Sequence, residues 1–288
     1  MEYKENSIGV SYTFFAAILW SAIGIFVRLI PEVSSGMIVA YRFIFATIVL
    51  LVYGIVTKKS SNIKIKLKDV PYLVLPAVIL SFTTYTYTIG LKNTTIANTI
   101  FLQQMAPLYV LLISALLLKE KTSRNTAIAV ITGILGGFII FYYDISSINV
   151  TTNFYGNVMS MFSGFGWALY TISIRALSKK FDGLTTTLWM FVFTTIIMSP
   201  FFSGSKILTP FSLSVLFILG FLCTAGSFLL YSIALKHIMA TKASVIILTE
   251  GILAGILAYI ILGETVTQGT IIGGALILVA VLIILKER

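Results

Sequence analysis

Two residues of this chain carry charge where charge is expensive. Arg42 and Glu250 each sit inside a run of about 20 apolar residues, the length of helix that crosses a bilayer. Arg42 falls about seven residues into its run, on the order of 10 Å from one end at the rise of an α-helix. Glu250 falls about nine residues into its own run, near the middle of a span of ordinary length. A centred charge costs about 2.5–3.5 kcal/mol even on lenient insertion scales, so each should face a wet cavity or a partner. A guanidinium pairs in bidentate fashion with carboxylate or phosphate, which makes Arg42 a candidate anchor for an anionic substrate group. A structural ion pair, or a side chain snorkelling outward along its stem, would serve as well. Glu250 is a candidate carrier of a coupled proton, or a counter-charge for a cationic substrate. A carboxyl bridging two helices is the plainer reading, and the two charges could also neutralise one another.

Around these charges the polar and aromatic residues thicken. The third apolar run carries Thr83, Thr84, Tyr85 and Tyr87, and the fourth Asn98, Gln103 and Gln104. Trp20 lies in the first, Trp167 and Tyr170 in the sixth, Ser227 and Tyr231 in the eighth. Tryptophan at a span end marks the membrane interface. Trp20 and Trp167 fall mid-span instead, which favours a pocket wall. The candidate substrate-binding set is therefore Arg42, Trp20, Tyr85, Asn98, Gln103, Trp167, Tyr170, Tyr231 and Glu250. A lining that mixes polar and aromatic groups suits amphipathic organic solutes better than bare ions. For any one of these residues, ordinary helix packing is the competing explanation.

Other chemistry finds little purchase. The one histidine, His237, is placed in a loop, and the one cysteine, Cys223, lies in an apolar run as a buried thiol. No metal-ligand spacing, carboxylate cluster or phosphate-cradling GxxxxGK[ST] loop is present, so no metal, cofactor or enzymatic role is expected. A receptor or lipid-handling scaffold, which would bind without turnover, remains the other class.

The elements that must position these groups are membrane helices. Of 288 residues, 58% are hydrophobic and 10% charged, against about 25% charged in a soluble domain. Lipid must serve as solvent for much of such a chain, and the first apolar run reads as a span rather than a cleaved leader. Ten runs are long enough to span, at approximately 9–29, 35–56, 71–91, 96–118, 125–143, 155–177, 184–203, 212–235, 241–262 and 268–285. With the N-terminus inside, the inner connections hold 16 of the 20 basic residues, while Arg28, Lys92 and Lys206 lie outside and Arg42 within a span. The positive-inside bias thus predicts cytoplasmic termini, and the net charge of +10 reflects anchoring to an anionic leaflet rather than nucleic-acid binding.

The chain also repeats itself. Tyr87-Thr88-Ile89-Gly90-Leu91-Lys92 returns 144 residues later as Tyr231-Ser232-Ile233-Ala234-Leu235-Lys236, and Leu118 and Glu120 return as Leu262 and Glu264. Residues 1–149 and 150–288 then form two units of five spans. An odd number of spans per unit inverts the second relative to the first, which predicts an all-α integral membrane protein of two inverted five-helix repeats. Within it, Pro107 of the fourth span corresponds to Gly251 of the ninth. Breakers at matching positions point to interrupted helices and a midplane site, although proline and glycine also merely bend membrane helices. Gly133/Gly137 and Gly269/Gly273 have the GxxxG spacing of close helix packing, read as intramolecular rather than as a dimer seam. Glu120 and Glu264, at related span ends, read as helix-tying residues. A monomer or weak homodimer follows.

In order and spacing these residues resemble the drug/metabolite transporter superfamily, and its EamA-like branch in particular. The resemblance rests on Tyr87-…-Gly90-Leu91-Lys92-…-Ala97-Asn98-…-Pro107-Leu108-…-Leu118-Lys119-Glu120-Lys121 and its second copy, on Tyr41-Arg42-Phe43, on Trp20 and on Trp167-Ala168-Leu169-Tyr170. It covers nearly the whole chain. It implies a central cavity lined mainly by helices 1, 3, 4, 6, 8 and 9, in a plasma-membrane permease, often an exporter of amino acids or related metabolites. Two positions depart from the family pattern: Glu250 precedes Gly251 where proline is common, and Ser21 follows Trp20 where glycine is common. The expected activity is carriage of small amphipathic metabolites, amino acids or related compounds, with efflux favoured and a proton as candidate coupling ion. The rival is transport of organic cations on Glu250 and aromatic faces.

Overall fold

Helices account for nearly all of the described residues, because a backbone in lipid must satisfy its own hydrogen bonds. The computed structural model describes residues 2–57, 65–110, 113, 124–145, 150–177, 180–203, 208–234, 237 and 246–287. Among these, α-helices run in the order α1 (Glu2–Ser21), α2 (Ile23–Leu29), α3 (Ser35–Val56), α4 (Val70–Asn93), α5 (Ile96–Gln103), α6 (Arg124–Ile145), α7 (Val150–Leu177), α8 (Gly183–Met198), α9 (Pro210–Gly220), α10 (Ser227–Ala234), α11 (Thr249–Leu262) and α12 (Gln268–Glu287). A kink at Ala22 joins α1 to α2, a helical stretch over 106–110 follows α5, and a π-helical turn over Phe221–Gly226 joins α9 to α10. Grouped this way, the described helices follow the order of the ten apolar runs.

Polar residues start the helices and a glycine stops one. Ser34, Thr95, Asp182, Thr209 and Thr267 each accept a hydrogen bond from the backbone N–H three residues on, at 2.9–3.3 Å, capping α3, α5, α8, α9 and α12. Gly263 ends α11 with φ of 66°, the left-handed cap that glycine adopts without strain.

Among the described residues, five helical stretches are both long and apolar enough to cross a membrane: Ser7–Leu29, Ser35–Val56, Leu67–Asn93, Gly183–Phe202 and Pro210–Tyr231. Ile128–Tyr143, Thr249–Leu262 and Gln268–Ile283 are apolar but shorter. At 28 residues α7 has ample length, but Asn157, Ser160 and Ser163 are buried along it. Ile55, Val56, Leu75, Phe138, Tyr259 and Ile260 point outward and exposed, the coat that a lipid-facing surface requires.

The principal seams run between α4 and α7, between α6 and α12, between α3 and α8, and between α1 and α10. The α6–α12 seam is closest at Gly136 and Gly273. A Cβ on Gly136 would stand 2.6 Å from the Gly273 carbonyl, and one on Gly273 would collide with the Gly136 carbonyl. Of the GxxxG pairs, Gly133 faces Leu108, Gly137 faces Met105 and Gly269 faces Tyr143, so all four glycines sit in contacts within the chain.

Candidate functional site

The helix breaks build the site. In the fourth span α5 ends at Gln103, and Gln104 and Met105 form a turn before the 106–110 stretch. Pro107 accounts for this: lacking an N–H, it leaves the Gln103 carbonyl without its helical donor. Gly164 of α7 packs onto that spot, where a Cβ would stand 2.9 Å from the carbonyl oxygens of both Leu102 and Gln103. In the ninth span the helix is interrupted at Leu248 and restarts as α11 at Thr249, which puts Glu250 in the first turn of α11. Gln104 and Leu248 are 144 residues apart, so the two interruptions fall at the same point of the repeat, one turn before Pro107 and Gly251.

Arg42 is buried, 4% exposed, about a third of the way along α3. Its Nε donates to Thr224 Oγ1, which in turn donates to the Leu219 carbonyl at 2.8 Å. The π turn makes this possible, since it carries Thr224 five residues past Leu219 and points its hydroxyl at α3. Such turns concentrate at functional sites. Among the described residues no carboxylate lies within ion-pair distance of Arg42, and its remaining N–H groups have no hydrogen-bond partner. Glu250 is 8% exposed and has no hydrogen-bond or ion-pair partner among the described residues. The two are not ion-paired, yet Glu250 lies within electrostatic range of Arg42, as do Tyr87 and Cys223.

An aromatic cluster adjoins the charges. Trp20 contacts Phe228 and Tyr231 at ring separations of 5.5 Å and Trp167 at 6.3 Å. Trp167 stacks on Tyr170 at 5.1 Å. From Phe228 the contacts pass to Phe191 at 5.4 Å and on to Phe43 at 5.1 Å, over whose ring the Arg42 guanidinium carbon sits at 5.9 Å. Trp20, Trp167, Tyr170, Tyr231 and Arg42 thus belong to one buried region formed by α1, α3, α7 and α10, with Glu250 reaching it from α11.

The remaining candidates are placed elsewhere. Asn98 accepts from Thr270 Oγ1 at 2.6 Å, tying α5 to α12. Gln103 donates to Ser163 Oγ at 2.7 Å, tying α5 to α7. Tyr85 packs against Phe201 at 5.4 Å. The hydroxyls of Thr83 and Thr84 go to the carbonyls of Ile79 and Leu80 in their own helix. Thr224 and Phe228 were not singled out by sequence, because neither a lone threonine nor a lone phenylalanine in an apolar run marks itself. The glycines that flank the π turn, Gly220 and Gly226, are the one available signal.

A cleft of about 510 Å³ opens at the end of the bundle that the charge pattern places outside. Its wall includes Arg28, Lys92, Thr94, Asn153 and Glu264, not Arg42 or Glu250. Glu264 pairs with Arg28 at 3.1 Å and accepts from the N–H of Ile96, the first residue of α5, at 3.0 Å. Arg28 also donates to the carbonyl of Thr94, and Lys92 to those of Pro31 and Val33 at 2.8 and 2.6 Å. The ends of α2, α4, α5 and α11 are cross-linked above a buried site. Glu120, Lys119, Lys121 and Lys236 lie outside the described residues.

Relatives and one solved fold agree with this architecture. A protein of known crystal structure matches 96% of this chain and 95% of its own at a TM-score of 0.68 and 16% identity, a likeness of fold alone. A Bacillus subtilis protein, the uncharacterized transporter YwfM, is 24% identical over 97% of this chain and 94% of its own. The uncharacterized inner membrane transporter YicL of Salmonella typhimurium is 26% identical over 96% and 94%. An uncharacterized transporter of Archaeoglobus fulgidus is 27% identical over 73% and 75%. The apolar coat, the interrupted helices and these relatives define a multi-pass membrane transporter. Residues 7–142 and 154–286 match the EamA-like transporter family, and the chain belongs to that family within the drug/metabolite transporter superfamily.

Proposed function

We propose that this transporter is a secondary carrier of small amphipathic metabolites, amino acids and related compounds, working by alternating access of two inverted five-helix halves with efflux preferred. One observation carries the reading. Arg42 and Glu250 are buried, opposite in charge, unpaired with each other and without other ionic partners among the described residues, beside an aromatic wall. Leaving two such charges unpaired in an apolar interior is costly, so a solute that pairs with both is the natural complement. A zwitterion would place its carboxylate on the Arg42 fork, its ammonium towards Glu250 and its apolar part on Trp20 and Trp167. The two family matches and the equal placement of the helix interruptions support the division at residues 149 and 150 into inverted halves. Cytoplasmic termini rest on the loop charges, and the efflux direction on the family resemblance.

The measurement is counterflow in proteoliposomes with an amino-acid panel, with and without a proton gradient. Flux that disappears in Arg42→Gln, and that loses its response to the gradient in Glu250→Gln, is the expected result. A purified wild-type protein that moves no amino acid or related metabolite sinks the reading.

The aromatic cluster favours one second reading, carriage of organic cations over Trp20, Trp167 and Tyr231 with Glu250 as counter-charge. Cation flux that survives Glu250→Gln, alongside carboxylate flux abolished by Arg42→Gln, eliminates it.

A further inference from the structure

Buried polar groups in this protein are satisfied almost everywhere. Thr83, Thr84, Thr86 and Thr88 donate to carbonyls of their own helix, Gln103 bonds Ser163 and Asn98 bonds Thr270. Among the described residues, apart from single atoms of Arg28 and Asp69, whose side chains are ion-paired, two neutral side chains stand out. The Tyr87 hydroxyl, on a residue only 4% exposed, has no hydrogen-bond partner. The carboxamide of Gln104 is sealed from solvent at both Nε2 and Oε1 and also has none. Gln104 lies at an interrupted helix, and Tyr87, on the continuous α4, lies in the buried core that also holds Trp20, Phe43 and Phe228. Gln104 is itself the first residue of the break after α5, and its Nε2 reaches to 3.5 Å from where a Cβ of Gly251 would stand, next to Glu250. Tyr87, on α4, is within electrostatic range of Glu250 and of Arg42. An unmade buried donor or acceptor is expensive and is kept where something in the working cycle completes it.

We propose that Tyr87 and Gln104 form a neutral hydrogen-bonding subsite that reads a hydroxyl or carboxamide on the transported solute. This rests on the carrier reading above and deepens it. Arg42 and Glu250 supply opposite charges, while Tyr87 and Gln104 each offer a donor and an acceptor and no charge. The group they complete must itself donate and accept, which describes a hydroxyl or a carboxamide and not a second carboxylate or ammonium. The aromatic wall accepts any apolar face, so selectivity among solutes of similar shape falls to these two side chains. A site built to hydrogen-bond its substrate rejects the apolar isostere strongly, because its own groups are then left unmade.

The experiment uses the purified full chain, with wild type, Gln104→Leu, Tyr87→Phe and the double variant compared by ligand binding and by melting temperature. The solutes are two matched pairs, glutamine against methionine and tyrosine against phenylalanine. Wild type should bind a polar member about tenfold or more tightly than its apolar match. The double variant should lose that discrimination while its unliganded melting temperature holds or rises. Equal discrimination in wild type and double variant overturns the subsite, as does a lower unliganded melting temperature, which marks the two groups as structurally bonded. Wild type that binds none of the four solutes defeats the amino-acid reading instead. The unliganded melting temperature then decides alone: a rise in the double variant supports orphaned groups and a fall rejects them.

Discussion

Arg42 is held by one bond and left free for others. Thr224 takes its Nε, which orients the guanidinium while its terminal N–H groups stay unpartnered among the described residues. That is the arrangement of a fork awaiting a carboxylate, and lysine cannot reproduce it. In Arg42→Lys, which keeps the charge and loses the fork, solute affinity should fall roughly tenfold or more, about 1.4 kcal/mol, as read in a binding titration. The same logic gives a stability signature. An unpaired buried charge destabilises the empty protein, so Arg42→Met should melt higher while losing flux, at about 2–4 °C for each kcal/mol recovered. A lower melting temperature would make Arg42 a structural residue. Sequence made Arg42 and Glu250 legible because charge within an apolar run is conspicuous. It could not separate Asn98 and Gln103, which tie helices, from residues at the cluster, since both uses place a polar group on a buried face.

Helix interruptions and helix ends decide what those residues can reach. Where the residues are described, the apolar runs match helices to within a few residues, and the breaker pair Pro107 and Gly251 pointed to spans that are interrupted. The breaks themselves lie a turn earlier, at Gln104 and Leu248, and at Gln104 this follows because Pro107 acts on the carbonyl four residues behind it. The π turn over Phe221–Gly226 was not readable, as no composition distinguishes it from α-helix, yet it is what brings Thr224 to Arg42. At the helix ends, Glu264 binds both Arg28 and the start of α5, so the ends of α2, α5 and α11 meet at one carboxylate above the site. In a carrier this tie must open when the site faces outward. Cys223, the single cysteine, is 1% exposed in the π turn beside Arg42 and serves as a native reporter. Removing a partly exposed tie worth about 1 kcal/mol raises the open population about fivefold. Glu264→Gln should therefore speed labelling of Cys223 by a membrane-impermeant thiol reagent from outside by that order. An unchanged rate would reduce the pair to a static brace.

At the scale of the whole molecule, the aromatic cluster draws its rings from both halves of the chain. Tyr87 and Tyr231 are 144 residues apart in sequence, and Trp20 meets Trp167, each the mid-span tryptophan of the first span of its half. Trp20 and Trp167 are 147 residues apart, so the cluster joins the two halves without pairing strictly equivalent positions. The charges are likewise unequal, since Ala106 stands where the second half has Glu250. An inverted arrangement makes a demand that no parallel one shares: repeat-equivalent loop positions must face opposite sides of the membrane. Asn93 and His237 are such a pair, 144 residues apart, both partly exposed at helix ends. In a Cys223→Ser background, Asn93→Cys should react with an impermeant maleimide added outside intact cells, and His237→Cys only after the membrane is permeabilised. The loop charges assign the sides, with Lys92 next to Asn93 on the sparse outer face and Lys236 next to His237 on the lysine-rich inner one. Labelling of both from one side would mean that the halves insert in the same sense, and alternating access by exchange of two mirror-related states would lose its structural basis. Labelling from opposite sides, but with Asn93 inside, would keep the inverted repeat and reverse the orientation, and with it the assignment of the Arg28–Glu264 tie to the outer face.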